Sequence, residues 1–307
     1  MTASAEHAGT IDIRSLTKRY GTVLAVDDVS FNVPEGSIFG LLGTNGAGKT
    51  TTFKCMLGLA RPNSGTVTFG GRTLEPAMFE HIAYVPERSA LYEWMSGNQH
   101  LEFYRRSYKH YDAERARKLT DLFHLDLRKR VKALSKGQQT ALAVILAFAI
   151  HPKILVLDEP TSGLDPVHQR HVLDLMISES SAGTTILFSS HQIGQVERAA
   201  ERIAILHNSK LVMQGDVEQL RSDEKIIEAT FDSETPSLNG IESDPRVRLV
   251  TRNGRLVRAF VRNDTEGLMK LFADKQPRSL RVLDQNLEDI FLSAVGDDIN
   301  AAKSWGG

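Results

Sequence analysis

Between residues 11 and 222, short apolar runs alternate with amphipathic stretches, a rhythm that predicts a largely parallel sheet with connecting helices. Gly36–Leu42, Lys153–Asp158 and Thr184–Ser189 are each too short for a helix and are bounded by breakers, so they read as buried strands. The first feeds a glycine-rich turn and a helix from about Gly48. Asp165-Pro166 predicts an N-cap followed by proline in the first turn of a helix running toward Ser181. Helical periodicity also runs from Asp112 to His124. The longest apolar run, Ala141–Ile150, has ten residues against the ~17 a spanning helix needs, so no transmembrane segment is expected.

The texture changes after residue 222. Ile226–Phe231 predicts a strand, Ser233–Asp244 a polar loop, and Val247–Val261 a hairpin turning at Asn253-Gly254. A helix over 264–273, a strand over Ser279–Leu283 and a closing helix over Leu287–Val295 complete a separate small α+β domain, 223–295. Residues 1–10 are expected to be flexible and 296–307 disordered. The first residues have neither a basic n-region nor an apolar h-region, so no secretory signal is expected.

Hydrophobic residues make up 41% of the 307, enough for a sizeable core in about two domains. Thirty-seven Lys and Arg against 38 Asp and Glu leave a net charge of −1, which argues against binding nucleic acid through bulk charge. The sole cysteine, Cys55, excludes an internal disulfide and a cysteine-rich zinc framework, and fits a reducing compartment. It reads as a packing thiol. Six arginines and no acid lie between Arg246 and Arg262; without interleaved aromatics they read as a solvated strand face rather than a nucleic-acid patch.

Chemistry concentrates first in Gly43-Thr44-Asn45-Gly46-Ala47-Gly48-Lys49-Thr50, followed by Thr51. Gly43, Gly46 and Gly48 let backbone N–H groups turn onto phosphate oxygens, and the following helix presents its positive end there. Lys49 would reach the β- and γ-phosphates of ATP, and the Thr50 hydroxyl would bind Mg²⁺. The pattern follows a strand and opens a helix, the context that separates a phosphate loop from a chance turn. The second concentration is Ile154–Pro160, an apolar strand ending in Asp158 and Glu159. Asp158 can hold Mg²⁺ opposite Thr50, and Glu159 can orient or deprotonate the attacking water. Two acids could instead be a solvated strand end, but a phosphate loop and a strand ending Ser189-Ser-His191 favour a site. His191 would hydrogen-bond the γ-phosphate or the water.

Leu134-Ser-Lys-Gly-Gln138 before Asp158 and Ser162-Gly-Leu-Asp165 after Glu159 complete an order that resembles the ATP-binding-cassette (ABC) family over residues 11–222. The resemblance implies a P-loop NTPase of ABC type, with a helical subdomain over about 88–150, in which two cassettes enclose two ATPs head to tail. It implies that Ser135, Gly137 and Gln138 serve the nucleotide of the partner cassette, that Asp165 links the two sites, and that Tyr20 stacks on adenine with Val26 packed nearby. Lys136 departs from the glycine commoner in the family signature. Glu87 stands where many members have glutamine, beside Mg²⁺ or the water; Pro86-Glu87 resembles exporter cassettes with separately encoded membrane subunits. Ala90–Met95 lies where the family docks that subunit; it reads as a docking segment with Tyr92, Trp94 and Met95 as anchors rather than as a small satellite core. The C-terminal module resembles the small domain ending many exporter cassettes.

These likenesses imply an ATPase at the cytoplasmic face of a membrane, working as a homo- or heterodimer with an integral permease subunit. A soluble cassette acting on DNA or ribosomes is disfavoured: residues 51–134 hold no sustained heptads, and the chain has one cassette. An importer motor is the remaining alternative.

Overall fold

The structure, a computed structural model, describes residues 11–232, 235–262 and 265–303. The flexible segment expected over 1–10 and the end of the expected tail, 304–307, lie outside them. Six consecutive apolar or glycine positions, Ile38–Gly43, form strand β3, and every one is buried. Burial on both faces is what removes alternation from a parallel strand. In chain order β1 (Ile11–Tyr20) and β2 (Val23–Val33) precede it. Helix α1 (Lys49–Met56), β4 (Ser64–Phe69), β5 (Ile82–Val85), α2 (Gly97–Ser107), α3 (Ala113–Leu122) and α4 (Lys136–Phe148) follow. Then come β6 (Ile154–Asp158), α5 (Pro166–Ser181), β7 (Thr185–Ser190), α6 (Ile193–Ala199), β8 (Arg202–His207) and β9 (Lys210–Asp216).

The principal sheet has the order β5-β6-β7-β3-β8-β9, and the pairs from β5 to β8 are all parallel. Parallel pairing gathers the C-terminal ends of β3, β6 and β7 on one edge, with Asp158 beside Ser189 and Leu42 beside Ser190. That edge is where an open α/β sheet presents a site. A second sheet, β2-β1-β4, is antiparallel and was not anticipated as a separate layer. Its inward residues Ile11, Ile13, Leu16 and Val29 close over α1 and the principal sheet in one core. Phe53 of α1 is fully buried in it, and Phe31 stacks on Phe39 at 5.2 Å. Burial of Phe53 alone contributes on the order of 2–3 kcal/mol. Cys55, 5% exposed, packs in the same core.

The helical segment is defined by its caps. Ser96 with Gln99 and Ser135 with Gln138 form capping boxes at α2 and α4, and Asp112 caps α3. The apolar run expected from Ala141 is the buried half of α4, where Leu142, Ile145 and Phe148 are fully enclosed. Asp165 caps α5 ahead of Pro166, accepting from the N–H groups of Val167 and His168.

The chain divides into two compact units after Gln214, earlier than the boundary expected at 222. The second unit opens with α7 (Val217–Asp223), which the expectation placed in the first domain, and continues with β10 (Glu224–Thr230), β11 (Val247–Asn253) and β12 (Leu256–Arg262). Helix α8 (Glu266–Ala273), β13 (Ser279–Asp284) and α9 (Leu287–Lys303) end it. Its sheet is antiparallel, order β11-β12-β10-β13, over a core of Ile227, Ala229, Phe231, Val257, Val261, Leu268 and Phe272. The hairpin pairs Asn253 with Leu256, so its turn is Gly254-Arg255, one residue later than expected, and Gly254 takes the left-handed φ of +58°. Helix α9 continues to Lys303 through the segment expected to be disordered from 296. Gly296 alone does not stop it.

Candidate active site

Strand β3 delivers Gly43 to a loop whose backbone only glycine accommodates. Gly48 has φ +103°, and a Cβ there would lie 2.4 Å from the Ala25 carbonyl oxygen. Gly46 has φ +83°. Lys49, the first residue of α1, is 7% exposed; its Nζ donates to the carbonyl oxygens of Gly43 at 2.7 Å and Thr44 at 3.4 Å. The ammonium therefore closes the loop on itself.

Strand β6 places Asp158 opposite Thr50. The Thr50 hydroxyl donates to Asp158 Oδ2 at 2.6 Å, and the Ser189 hydroxyl from β7 donates to Oδ1 at 2.6 Å. Ser189 also accepts from the N–H of Glu159 at 3.0 Å. Glu159, 8% exposed, has φ +52°, a conformation that costs a non-glycine residue on the order of 1 kcal/mol or more. Its Oε1 lies 3.5 Å from Lys49 Nζ, and its Oε2 accepts from His191 Nδ1 at 2.8 Å. A carboxylate only accepts, so His191 carries its proton on Nδ1. Thr44, Asn45, Gly46, Ala47, Gly48, Lys49, Thr50, Thr51, Glu87, Asp158 and Glu159 all line one cavity of about 230 Å³, with Ala25. Nearby on β5, burial raises the phenol of Tyr84 above its ordinary range, and the charges of Asp158 and Glu87 raise it further.

Other expected residues stand apart. Ser135, Gly137, Gln138 and Asp165 line a separate cavity of about 250 Å³, together with His124 and His168. The two cavities have no lining residue in common. Asp165 Oδ2 lies 2.5 Å from His168 Nδ1, and its carboxyl is held below the usual range, first by the N–H of His168 and then by that imidazole. Tyr20 ends β1 about half exposed, with Lys18 Nζ 4.7 Å from its ring centroid, and does not line the phosphate-loop cavity. Val26 is fully buried with its side chain beneath Gly48; strand parity turns Ala25, not Val26, to the cavity. Among the expected anchors Tyr92 and Trp94 are 51% and 66% exposed, 5.7 Å apart between rings, whereas Met95 is buried. Phe103 of α2 takes its place in the exposed cluster, 6.3 Å from Tyr92. Ser189 and Ala25 were missed as site residues. Ser189 was legible as the polar end of a strand beside Asp158, while Ala25 leaves no chemical signal.

Residues 26–162 match the family model described as ABC transporter. The ABC transporter ATP-binding protein YhaQ of Bacillus subtilis is 33% identical, over 93% of this chain and 98% of its own length. The Nod factor export ATP-binding protein I of Ralstonia nicotianae is 28% identical, over 94% of each chain. A solved ATP binding subunit of an ABC transporter matches with 30% identity and a TM-score of 0.62, covering 69% of this chain and 92% of that one. A dimeric bacterial ABC transporter cassette, 23% identical with a TM-score of 0.60 over 67% and 98%, shares the fold. The chain belongs to the ABC transporter ATP-binding proteins, and it is an ATPase of the P-loop class. Among the described residues no helix is long and apolar enough to cross a membrane.

Proposed function

We propose that this chain powers an exporter, closing head to tail with a second cassette subunit on two ATP molecules while docked to a separately encoded integral membrane subunit at the cytoplasmic face. The observation that supports it best is the separation of the two cavities: the phosphate loop with Glu159 lines one, and the signature segment with Asp165 lines the other. Ser135, the first-turn N–H groups of α4 and its positive end suit a γ-phosphate brought by another copy. Export is favoured by Pro86-Glu87 and by the likeness to a Nod factor export protein. Tyr92, Trp94 and Phe103 offer the membrane subunit a rigid aromatic anchor.

Thr50, Asp158 and Glu87 supply hard oxygen donors beside the phosphate loop, a set that fits Mg²⁺ shared with substrate phosphates. An Mg²⁺ held by these residues would supply positive charge to offset that of the substrate phosphates. Lys49 would take the same phosphates from its position under the loop. Phosphate oxygens compete with Glu159 for that ammonium, leaving the carboxylate to accept the proton of water attacking the γ-phosphorus in line. The water oxygen bonds to phosphorus as the bond to the ADP oxygen breaks. His191, hydrogen-bonded to Glu159 through Nδ1, would hold that water or the γ-phosphate through Nε2. Glu159→Gln keeps the side-chain volume and removes the base. It should abolish phosphate release while the full chain still binds ATP and elutes as a dimer on gel filtration. Normal turnover by that variant removes Glu159 from the role, and a monomer in saturating ATP removes the shared site.

A further inference from the structure

Lys136, where a glycine is commoner, begins the signature helix yet does not line the signature cavity. It lines a neighbouring cavity of about 270 Å³ with Pro86, Glu87, Arg88 and Gln139. Its Nζ donates to the Ser162 hydroxyl at 2.8 Å. Thr140, one turn further along α4, joins the same two segments, its hydroxyl 3.1 Å from the carbonyl oxygens of both Lys136 and Ser162. Gly137 packs so closely on Gly163 that a Cβ there would lie 2.3 Å from the Gly163 carbonyl oxygen. On its other side Ser162 donates its N–H to the Glu159 carbonyl at 3.0 Å. A continuous polar path therefore runs from the Lys136 ammonium to the backbone of Glu159, the residue in the left-handed conformation.

We propose that Lys136 is a positioning residue that ties the signature helix to the Glu159–Asp165 turn through Ser162. The segment serving the partner's nucleotide and the acid serving the chain's own then move as one piece. The consequence rests on the shared-site reading above; the bond itself does not. A glycine at 136 has no side chain to reach Ser162, so this bond, unlike the one made by Thr140, belongs to the chain's departure from the commoner signature.

The test is a double-mutant cycle in phosphate release by the full chain, with Lys136→Ala, Ser162→Ala, both together, and Lys136→Arg. An exposed, charge-assisted hydrogen bond corresponds to roughly two- to five-fold in rate. Each alanine variant should lose that factor in kcat with KM for ATP nearly unchanged, the pair should lose no more than either alone, and Lys136→Arg should recover activity. Wild-type kcat in Ser162→Ala beside an impaired Lys136→Ala, or losses that multiply in the pair, overturns the proposal. Gel filtration of Glu159→Gln in ATP tests the shared site separately: a monomer there sinks that reading, while the cycle still decides the tie.

Discussion

Gly137→Ala separates nucleotide binding from hydrolysis, and its size follows from one contact. An ideal Cβ at Gly137 falls 2.3 Å from Gly163 O and 3.0 Å from Gly163 C. Ordinary C···O contacts begin at about 3.3 Å, so the signature helix and the 162–165 turn must part by about 1 Å. Neither side has a rotamer to yield, because both surfaces are backbone. Helix α4 is pinned by the fully buried Leu142, Ile145 and Phe148. The turn is held by the N–H groups of Ser162 and Leu164 on the carbonyls of Glu159 and Thr161, at 3.0 and 3.2 Å. Overpacking of this kind costs about 1–3 kcal/mol, and a misplacement of about 1 Å near a reacting centre costs on the order of 10²-fold. Phosphate release at saturating ATP should therefore fall on the order of 10- to 100-fold. Titration of the isolated chain with a fluorescent ATP analogue should show affinity within about two-fold of wild type, since no residue of 135–138 or 162–165 lines the phosphate-loop cavity. Undiminished turnover, or affinity falling in step with turnover, refutes the reasoning.

Lys49→Ala removes the one ammonium bonded inside the phosphate loop and should weaken ATP binding on the order of 100-fold by titration; unchanged affinity contradicts the loop's assignment. Arg115→Met leaves the buried Glu179 without the guanidinium that pairs with it, and should cost about 2–3 kcal/mol in denaturant melts after allowance for the partial exposure of Arg115. Pairing it with Glu179→Met should recover most of that loss. In the second unit, Arg246 holds the Asp244 carboxyl at about 2, below its ordinary 3.8. Its stabilising contribution is complete above the unfolded value and disappears as pH falls from about 4 through about 2. Melting temperature should fall over that window, and Arg246→Ala should flatten the fall.

The nucleotide site was readable because its requirements are local. Only glycine permits the loop at Gly48, and the strand before it and helix after it carry their own periodicities. Asp158 and Glu159 were readable as acids at the tip of a buried strand, and Asp165-Pro166 as a helix start. What escaped depended on strand parity or on partners distant in sequence. Val26 and Ala25 are adjacent on β2 and turn to opposite faces of it. Met95 looks like an anchor until the chain around it turns the thioether inward. The β2-β1-β4 layer joins strands across long loops, and bulges between Ile13 and Leu16 break its alternation. The left-handed backbone of Glu159 and the reach of Lys136 to Ser162, 26 positions away, have no signature in composition or spacing.

The buried position of Cys55 carries a practical consequence. Burial lifts its thiol above the ordinary range, against a smaller opposing pull from the charge of Lys18. The thiolate is the form that alkylates and the side chain is buried, so this sulfur should react slowly with maleimides. These 307 residues, with Cys55 their sole cysteine, should thus give a quiet background for labelling. One cysteine introduced on an exposed helix would accept a dye or a spin probe without removing Cys55, and energy transfer between labelled molecules could then follow their approach in real time.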